Sequence, residues 1–143
     1  MERFEPSAVA SRLIRSARIA HLATADPSGQ PHVIPICFVF DGKHFYSPID
    51  EKPKRAAPSN LKRVRNITEN PQVALVIDRY DEDWRRLSYT LIFGKARILR
   101  RGETHQQAVK LLRQKYRQYH TMAIHERPII SITPKRIVVW GKI

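Results

Sequence analysis

Residues 31–70 read PHVIPICFVFDGKHFYSPIDEKPKRAAPSNLKRVRNITEN, and the fold turns on how this stretch is divided. Val33, Ile34, Pro35, Ile36, Cys37, Phe38, Val39 and Phe40 form a nearly continuous apolar run, which predicts a core strand covered on both faces. Asp41-Gly42 is the dipeptide suited to the two positive-φ centres of a type I′ turn, and His44, Phe45, Tyr46 and Ser47 return as the second strand of a hairpin. Pro31 and Pro35 carry no amide hydrogen, so the first strand needs an edge, a bulge or a ligand-facing side where no ladder bond is required. Beyond the hairpin, Lys52, Lys54, Arg55, Lys62, Arg63 and Arg65 place six cations before Asn66 with no acid among them.

Upstream, Pro6-Ser7 opens a helix with Ser7 as N-cap and Val9, Leu13 and Ala17 on one face. Ile19 to Thr24 reads as a short strand, closed by the turn Asp26-Pro27-Ser28-Gly29. Downstream, Pro48 to Asn60 is a loop. Leu61 to Glu69 is a short helix with Leu61, Val64 and Thr68 along one side and Lys62, Arg63 and Arg65 projecting elsewhere, stopped by Asn70-Pro71.

Val73 to Ile77 is a buried strand, and Asp78 to Arg85 is a polar connector carrying Trp84. Leu87 to Leu99 reads as one long bent strand with Gly94 as a bulge or barrel corner. Thr104 to Gln107 has capping-box spacing and starts a helix bearing Ala108, Leu111, Leu112, Lys115 and Tyr119 at helical intervals, its other face cationic. Pro128 to Ile132 and Arg136 to Trp140 are two strands about a Thr133-Pro134-Lys135 turn, with Trp140 expected in the core. Seven short strands, mostly linked locally, with two or three helices predict a mainly β (α+β) fold, an antiparallel barrel with peripheral helices.

A chain of 143 residues is one domain, 1–143, large enough to bury a core without staples. No apolar run reaches the roughly 20 residues of a membrane span, and the start lacks a signal peptide's apolar core, so a cytoplasmic protein is expected. The lone Cys37 cannot form an internal disulfide and reads as a packed core thiol.

A net charge of +13 attracts polyanions of any kind. Lys52 to Arg65 contains no aromatic for base stacking, which leaves nucleic acid possible without favouring it. The five glycines build neither a dinucleotide fingerprint nor a phosphate loop, the six histidines form no metal-binding pair on a predicted helix, and no nucleophile elbow is present. Asp81-Glu82-Asp83 reads as a solvated turn. If this is an enzyme, a bound cofactor carries its chemistry.

The segments Ile19-Ala20-His21-Leu22-Ala23-Thr24, Gly29-Gln30-Pro31-His32-Val33-Ile34-Pro35-Ile36, Asp41-Gly42, Arg63-Val64-Arg65-Asn66-Ile67 with Asn70-Pro71, Gly94-Lys95-Ala96-Arg97-Ile98 and Pro134-Lys135-Arg136-Ile137 occur in an order that resembles the pyridoxamine 5′-phosphate oxidase-like split-barrel flavoproteins. Within that family the chain is most similar to the flavin/deazaflavin oxidoreductases. Lys52-Pro53-Lys54-Arg55 and Tyr80-Asp81-Glu82-Asp83-Trp84 look like a subgroup labelled deazaflavin-dependent.

The resemblance implies an FMN-binding split-barrel fold, a homodimer with a cofactor groove at the subunit interface, and hydride transfer between FMN or the deazaflavin coenzyme F-420 and a small organic substrate. It implies a ring lying along Ile34, Pro35, Ile36 and Cys37, flanking groups from Tyr46 and Ser47, and phosphate cations from Lys52, Lys54 and Arg63. Trp84 either lines the groove or simply packs. Arg63 stands where relatives commonly carry lysine, and its forked donors also suit phosphate.

The oxidase proper uses an arginine and a lysine on the strand that here is Pro31 to Ile36. Both are missing, which argues against pyridoxamine phosphate oxidation. No side chain is expected to act as acid or base. The extra cations Lys52, Lys54 and Arg55 lean slightly toward the more anionic tail of the deazaflavin. The competing expectation is a non-catalytic basic module for nucleic acid or haem, with the cationic face of the Thr104 to Tyr119 helix as the nucleic-acid surface.

Overall fold

The computed structural model describes residues 6–49 and 61–141. Lys52, Lys54 and Arg55 lie outside the described residues. Helix α1 (Ala8–Ser16) is capped by Ser7, whose hydroxyl accepts the Ala10 amide at 3.1 Å. Strand β1 (Ala20–Ala25) follows, and Asp26 builds the turn: one carboxylate oxygen accepts the amides of Ser28 and Gln30, both at 2.9 Å. Gly29 sits at φ +90°, where a side chain would strain the backbone. Strand β2 (Pro31–Ile36) then pairs antiparallel with β1.

Among the described residues, seven strands form one antiparallel sheet in the order β2-β1-β5-β6-β7-β4-β3. The remaining members are β3 (Val39–Phe40), β4 (Phe45–Pro48), β5 (Gln72–Arg79), β6 (Ser88–Leu99) and β7 (Ile129–Gly141). The two edge strands, β2 and β3, are consecutive in sequence and separated by Cys37 and Phe38 alone. Three residue steps span at most about 11 Å, so the sheet must curl until its edges nearly meet. The edges do not pair with each other, which leaves a split barrel.

The apolar run that promised one strand is therefore two, and β2 is an edge strand. Its exposed and half-buried residues alternate, with Val33 61% exposed. The expectation of cover on both faces does not hold within one chain. The edge placement also accommodates Pro31 and Pro35 without missing ladder bonds. The β3–β4 hairpin exists, but its turn is not type I′: among the described residues only glycines have positive φ, so Asp41 does not. Asp41 instead accepts the Lys43 and His44 amides at 2.8 and 2.7 Å, which stabilises a longer four-residue loop.

The expected strands at 128–132 and 136–140 are one continuous β7, and the register shift lies between Phe93 and Gly94 of β6. Pro134 lies opposite Gly94 at that irregularity, where its missing donor costs little. A Cβ on Gly94 would collide with the Thr133 carbonyl, so β6 and β7 can cross here only as glycine permits. The tally of seven strands survives because one predicted strand divided while two merged.

The interior of the barrel is one apolar cluster that includes Leu22, Phe38, Phe45, Leu75, Ile77 and Ile92 with Leu13 and Ile14 of α1 and Val64 and Ile67 of α2 (Lys62–Glu69). Helix α3 (Glu103–Lys115) builds a second cluster on the sheet's outer side, Leu112, Tyr116 and Tyr119 packing with Tyr46, Leu99 and Ile129. It begins at Gly102 without a side-chain cap, so Thr104 lies inside the helix rather than at its N-cap. Trp140 is half exposed and stacks on Tyr89 with ring centroids 5.7 Å apart, not in the core as expected. Among the described residues no helix is long and apolar enough to cross a membrane.

Candidate functional site

The seam where the sheet edges approach opens into a cavity of about 360 Å³ lined by Ile19, Ile34, Pro35, Ile36, Cys37, Ser47, Pro48 and Arg63. Four elements converge on it. β2 supplies an apolar wall, β4 the Ser47-Pro48 side, the residue before β1 supplies Ile19, and α2 supplies Arg63.

Arg63 arrives there because α2 is oriented by a buried polar contact. The Asn66 amide donates to the Thr24 hydroxyl at 3.0 Å, and both side chains are almost fully buried. The buried face of α2 is Arg63, Val64, Asn66 and Ile67. The expected face through Leu61, Val64 and Thr68 is rotated, and Arg63 turns inward rather than projecting with Lys62 and Arg65. Arg63 is 8% exposed as a whole residue, which sets its positive charge in a poorly hydrated place.

Ser47 donates its hydroxyl proton to the Cys37 carbonyl at 2.7 Å. Its oxygen then has only lone pairs to offer a ligand hydroxyl. Cys37 itself is a free, half-buried thiol in the cavity wall rather than a sealed core thiol. The cavity thus joins an aliphatic surface suited to a flat ring, an acceptor, and a cation suited to phosphate.

Six of the ten predicted site residues, Ile34, Pro35, Ile36, Cys37, Ser47 and Arg63, line this one cavity. Two are placed elsewhere. Strand alternation sends Tyr46 to the opposite face of β4, where it packs in the α3 cluster and donates to Asp41 at 3.2 Å. Burial, with Asp41 beside it, pushes the Tyr46 phenol up to about 12. Trp84 is 72% exposed on the 3-10 turn Trp84–Arg86 and lines no part of the cavity. Lys52 and Lys54 fall outside the described residues.

Sequence reasoning missed Ile19 and Pro48 as lining residues, and missed Lys115 and Tyr116, which support the wall from behind. The Tyr116 hydroxyl accepts the Phe38 amide at 3.0 Å, and the Lys115 ammonium donates to the Phe38 carbonyl at 2.9 Å. Lys115 also sits 3.9 Å from the Phe38 ring centroid. Burial, with Arg18 nearby, pushes the Lys115 ammonium down to about 8, and burial pushes the Tyr116 phenol up to about 12. A separation of 78 positions between Tyr116 and Phe38 leaves no local signal in the sequence.

A second, more open depression of about 400 Å³ follows α3 past Gln106, Lys110, Arg113 and His120, with no wall from the sheet. Among the described residues no group of three or more His, Cys, Asp or Glu side chains could hold a metal ion.

The uncovered outer face of the sheet completes the geometry. Residues opposite one another across antiparallel strands share a face, so Pro35, His21, Val76, Leu91 and Val138 form one row. Val33, Ala23, Ala74, Phe93 and Arg136 form the next. Val138 and Trp140 are 39% and 50% exposed. The face is broad, mostly apolar and continuous with the β2 side of the cavity.

The family model described as pyridoxamine 5′-phosphate oxidase matches residues 7–141. No curated protein matches the chain significantly. Among solved structures, the conserved hypothetical protein Rv2991 from Mycobacterium tuberculosis is similar with a TM-score of 0.77 at 19% identity, covering 96% of this chain and 86% of that one. An F-420 reductase is similar with a TM-score of 0.68 at 24% identity, covering 94% and 98%. HutZ, the heme storage protein from Vibrio cholerae, gives 0.73 at 16% identity, covering 92% and 91%. At these identities the likeness is one of fold.

Proposed function

Because this chain belongs to the pyridoxamine 5′-phosphate oxidase family, we propose that it is an oxidoreductase that moves a hydride between a bound flavin-type cofactor, FMN or coenzyme F-420, and a small organic substrate. The observation that carries this reading is the seam cavity, which sets the Ile34 to Cys37 wall beside buried Arg63. The residues fit such a group: the aliphatic wall matches a ring face, Ser47 offers an acceptor for a hydroxylated chain, and Arg63 offers forked donors for its phosphate. Lys52, Lys54 and Arg55, a short way upstream of Arg63 in sequence, are proposed as further cations for the tail and lean the choice slightly toward the deazaflavin.

When bound, the ring supplies the hydride chemistry. The protein's own residues bind, orient and exclude water. Ile34 and Ile36 hold the ring face, Ser47 fixes Cys37, and Arg63 anchors the tether. No lining side chain is assigned a proton-transfer role.

The uncovered outer face supports a homodimer. The row from Pro35 to Val138, apolar but for His21, carries no helix of the described residues on its outer side, and exposed apolar surface of this kind marks an interaction face. Burying it against a second copy would bring another chain alongside the seam cavity and complete a groove. A soluble, non-membrane protein acting on a small molecule follows from the same reading.

A second reading, a non-catalytic basic module, rests on the heme storage protein among the similar folds. Among the described residues lining the cavity, Cys37 is the side chain suited to haem iron. For nucleic acid, the exposed cations of α3 would carry the binding, with affinity falling steeply as salt rises. Titrating the purified protein with FMN, coenzyme F-420 and haem separates these readings. The proposal expects one of the two redox cofactors to bind at micromolar levels or tighter, and haem binding without either would replace it.

A further inference from the structure

Between the two sheet edges the chain passes through Cys37 and Phe38, which belong to no ladder. Phe38 is fully buried, so water cannot serve its amide and carbonyl. The fold supplies a partner for the Cys37 carbonyl and for both polar groups of Phe38. Ser47 donates to the Cys37 carbonyl, Tyr116 accepts the Phe38 amide, and Lys115 donates to the Phe38 carbonyl.

The Tyr116 hydroxyl has one proton and two carbonyls in reach: Arg18 at 2.8 Å and Phe38 at 2.9 Å. Because Lys115 already serves Phe38, the proton is available to Arg18. Arg18 precedes Ile19, and Phe38 follows Cys37. Ile19 and Cys37 both line the seam cavity. One phenol oxygen, reached from outside the barrel, therefore ties together the two chain segments, just before β1 and just after β2, that flank the cavity.

We infer that Tyr116 is a positioning residue for the cavity: its hydroxyl, clamped between the Phe38 amide and the Arg18 carbonyl, fixes the spacing of the Ile19 and Cys37 walls. This deepens the proposed function, since the spacing then sets the fit of the ring. Lys115 acts in support, by leaving the phenol proton to Arg18. Tyr116 reaches the lining through the Phe38 and Arg18 backbone and through a side-chain contact with Cys37, and is assigned no catalytic role.

Cys37 makes the inference testable without any cofactor, because it is the only cysteine in the chain and lies in the wall concerned. Tyr116→Phe keeps the ring against Tyr119, 5.4 Å between centroids, and under Arg18, 5.0 Å away, but removes the clamp. The rate of Cys37 alkylation by iodoacetamide is measured well below the melting temperature, with Tyr119→Phe as a control for general loosening of the same cluster. Tyr116→Phe is expected to raise the rate about tenfold, the size of effect that losing a buried hydrogen bond allows, while Tyr119→Phe leaves it near wild type. Lys115→Met also removes a cation beside the Cys37 thiol, so all rates are compared with the thiol fully ionised; there, by freeing the Phe38 carbonyl to compete for the phenol proton, it is expected to raise the rate by a smaller factor, and it serves if Tyr116→Phe does not fold.

Wild-type alkylation rates in both Tyr116→Phe and Lys115→Met would overturn the inference, as would an equal rise in Tyr119→Phe. Titration with FMN and coenzyme F-420 is run in parallel. Altered alkylation with no binding of either cofactor would leave the clamp standing and remove the proposed function. Unaltered alkylation with tight binding would do the reverse.

Discussion

The Asn66 side-chain amide donates to the Thr24 hydroxyl at 3.0 Å, joining α2 to β1 at a point that is 1% and 3% exposed on its two sides. This contact sits one helical turn from Arg63 and fixes which face of α2 looks into the barrel. Asn66→Ala leaves the Thr24 hydroxyl buried with one partner fewer, an expected loss of about 1–3 kcal/mol in denaturant unfolding. The same variant is expected to weaken cofactor binding, because Arg63 loses its orientation. A variant as stable as wild type would show that the contact does not hold the helix.

Arg63 itself separates charge from geometry. Arg63→Gln is expected to lower affinity for FMN and coenzyme F-420 by about tenfold or more, the scale of a charge-assisted hydrogen bond to phosphate. Arg63→Lys keeps the charge, loses the fork, and should fall between. Affinity for riboflavin, which lacks the phosphate, is expected to change little. An equal loss for riboflavin would assign Arg63 to the ring side of the cavity or to folding.

Gly94 is where the sheet bends. A Cβ there would meet the Thr133 carbonyl and the Pro134 Cα, both backbone atoms that cannot rotate away. Gly94→Ala is expected to destabilise by about 1–3 kcal/mol through overpacking, read as a lower denaturant midpoint. An unchanged midpoint would mean that β6 and β7 can part at the bulge without cost.

The outer sheet face predicts the oligomeric state. Val138 is 39% exposed in one chain, so Val138→Glu should fold normally as a monomer. If the proposed dimer forms through this face, a charge opposite Leu91 is expected to shift it to monomer in sedimentation or light scattering. A wild-type monomer would contradict this, and a fully dimeric variant would move the interface elsewhere.

Stability should depend on pH in three windows. Below the ordinary 3.8 of a carboxyl, Asp26 and Asp83 lose stabilisation as they protonate, since hydrogen bonds, from Ser28 foremost in the first and from Arg85 in the second, hold both below that value. Between about 8 and 10.5 the unfolded chain keeps a proton that folded Lys115 has released, so stability gains as pH rises. Between 10 and about 12 the unfolded chain loses phenolic protons that folded Tyr46 and Tyr116 retain, so stability falls. A denaturation midpoint that peaks where these last two windows meet, near pH 10, with its rising limb removed in Lys115→Met, is the expected profile. A steady decline from neutral pH upward would contradict it.

Much of the fold was legible because local chemistry dictated it. Ser7 caps α1, Asp26 and Gly29 make their turn, Asn70-Pro71 ends α2, and Gly94 marks the bend, each through an interaction within a few residues or a property of the residue itself. The split of the Val33 to Phe40 run was not legible, because hydrophobicity on the outer face of β2 reads the same whether a neighbouring strand or another chain is meant to cover it. Pro134 misled for a related reason: a proline inside a strand reads as a turn unless its bulged partner is known.

The candidate site divides the same way. Ile34 to Cys37, Ser47 and Arg63 line one cavity. Tyr46 does not, since adjacent strand residues face opposite sides. Tyr116 and Lys115 reach Phe38 across more than half the chain, and no periodicity announces them.

The most direct test is equilibrium titration of the purified wild-type chain, and of Arg63→Gln beside it, with FMN and with coenzyme F-420, followed by the cofactor's own fluorescence. Saturable binding of at least one of them at micromolar levels or tighter, weakened about tenfold by the substitution, is the predicted result. Failure of both to bind the wild-type protein, or binding that Arg63→Gln leaves untouched, would contradict a cofactor held in the seam by its phosphate.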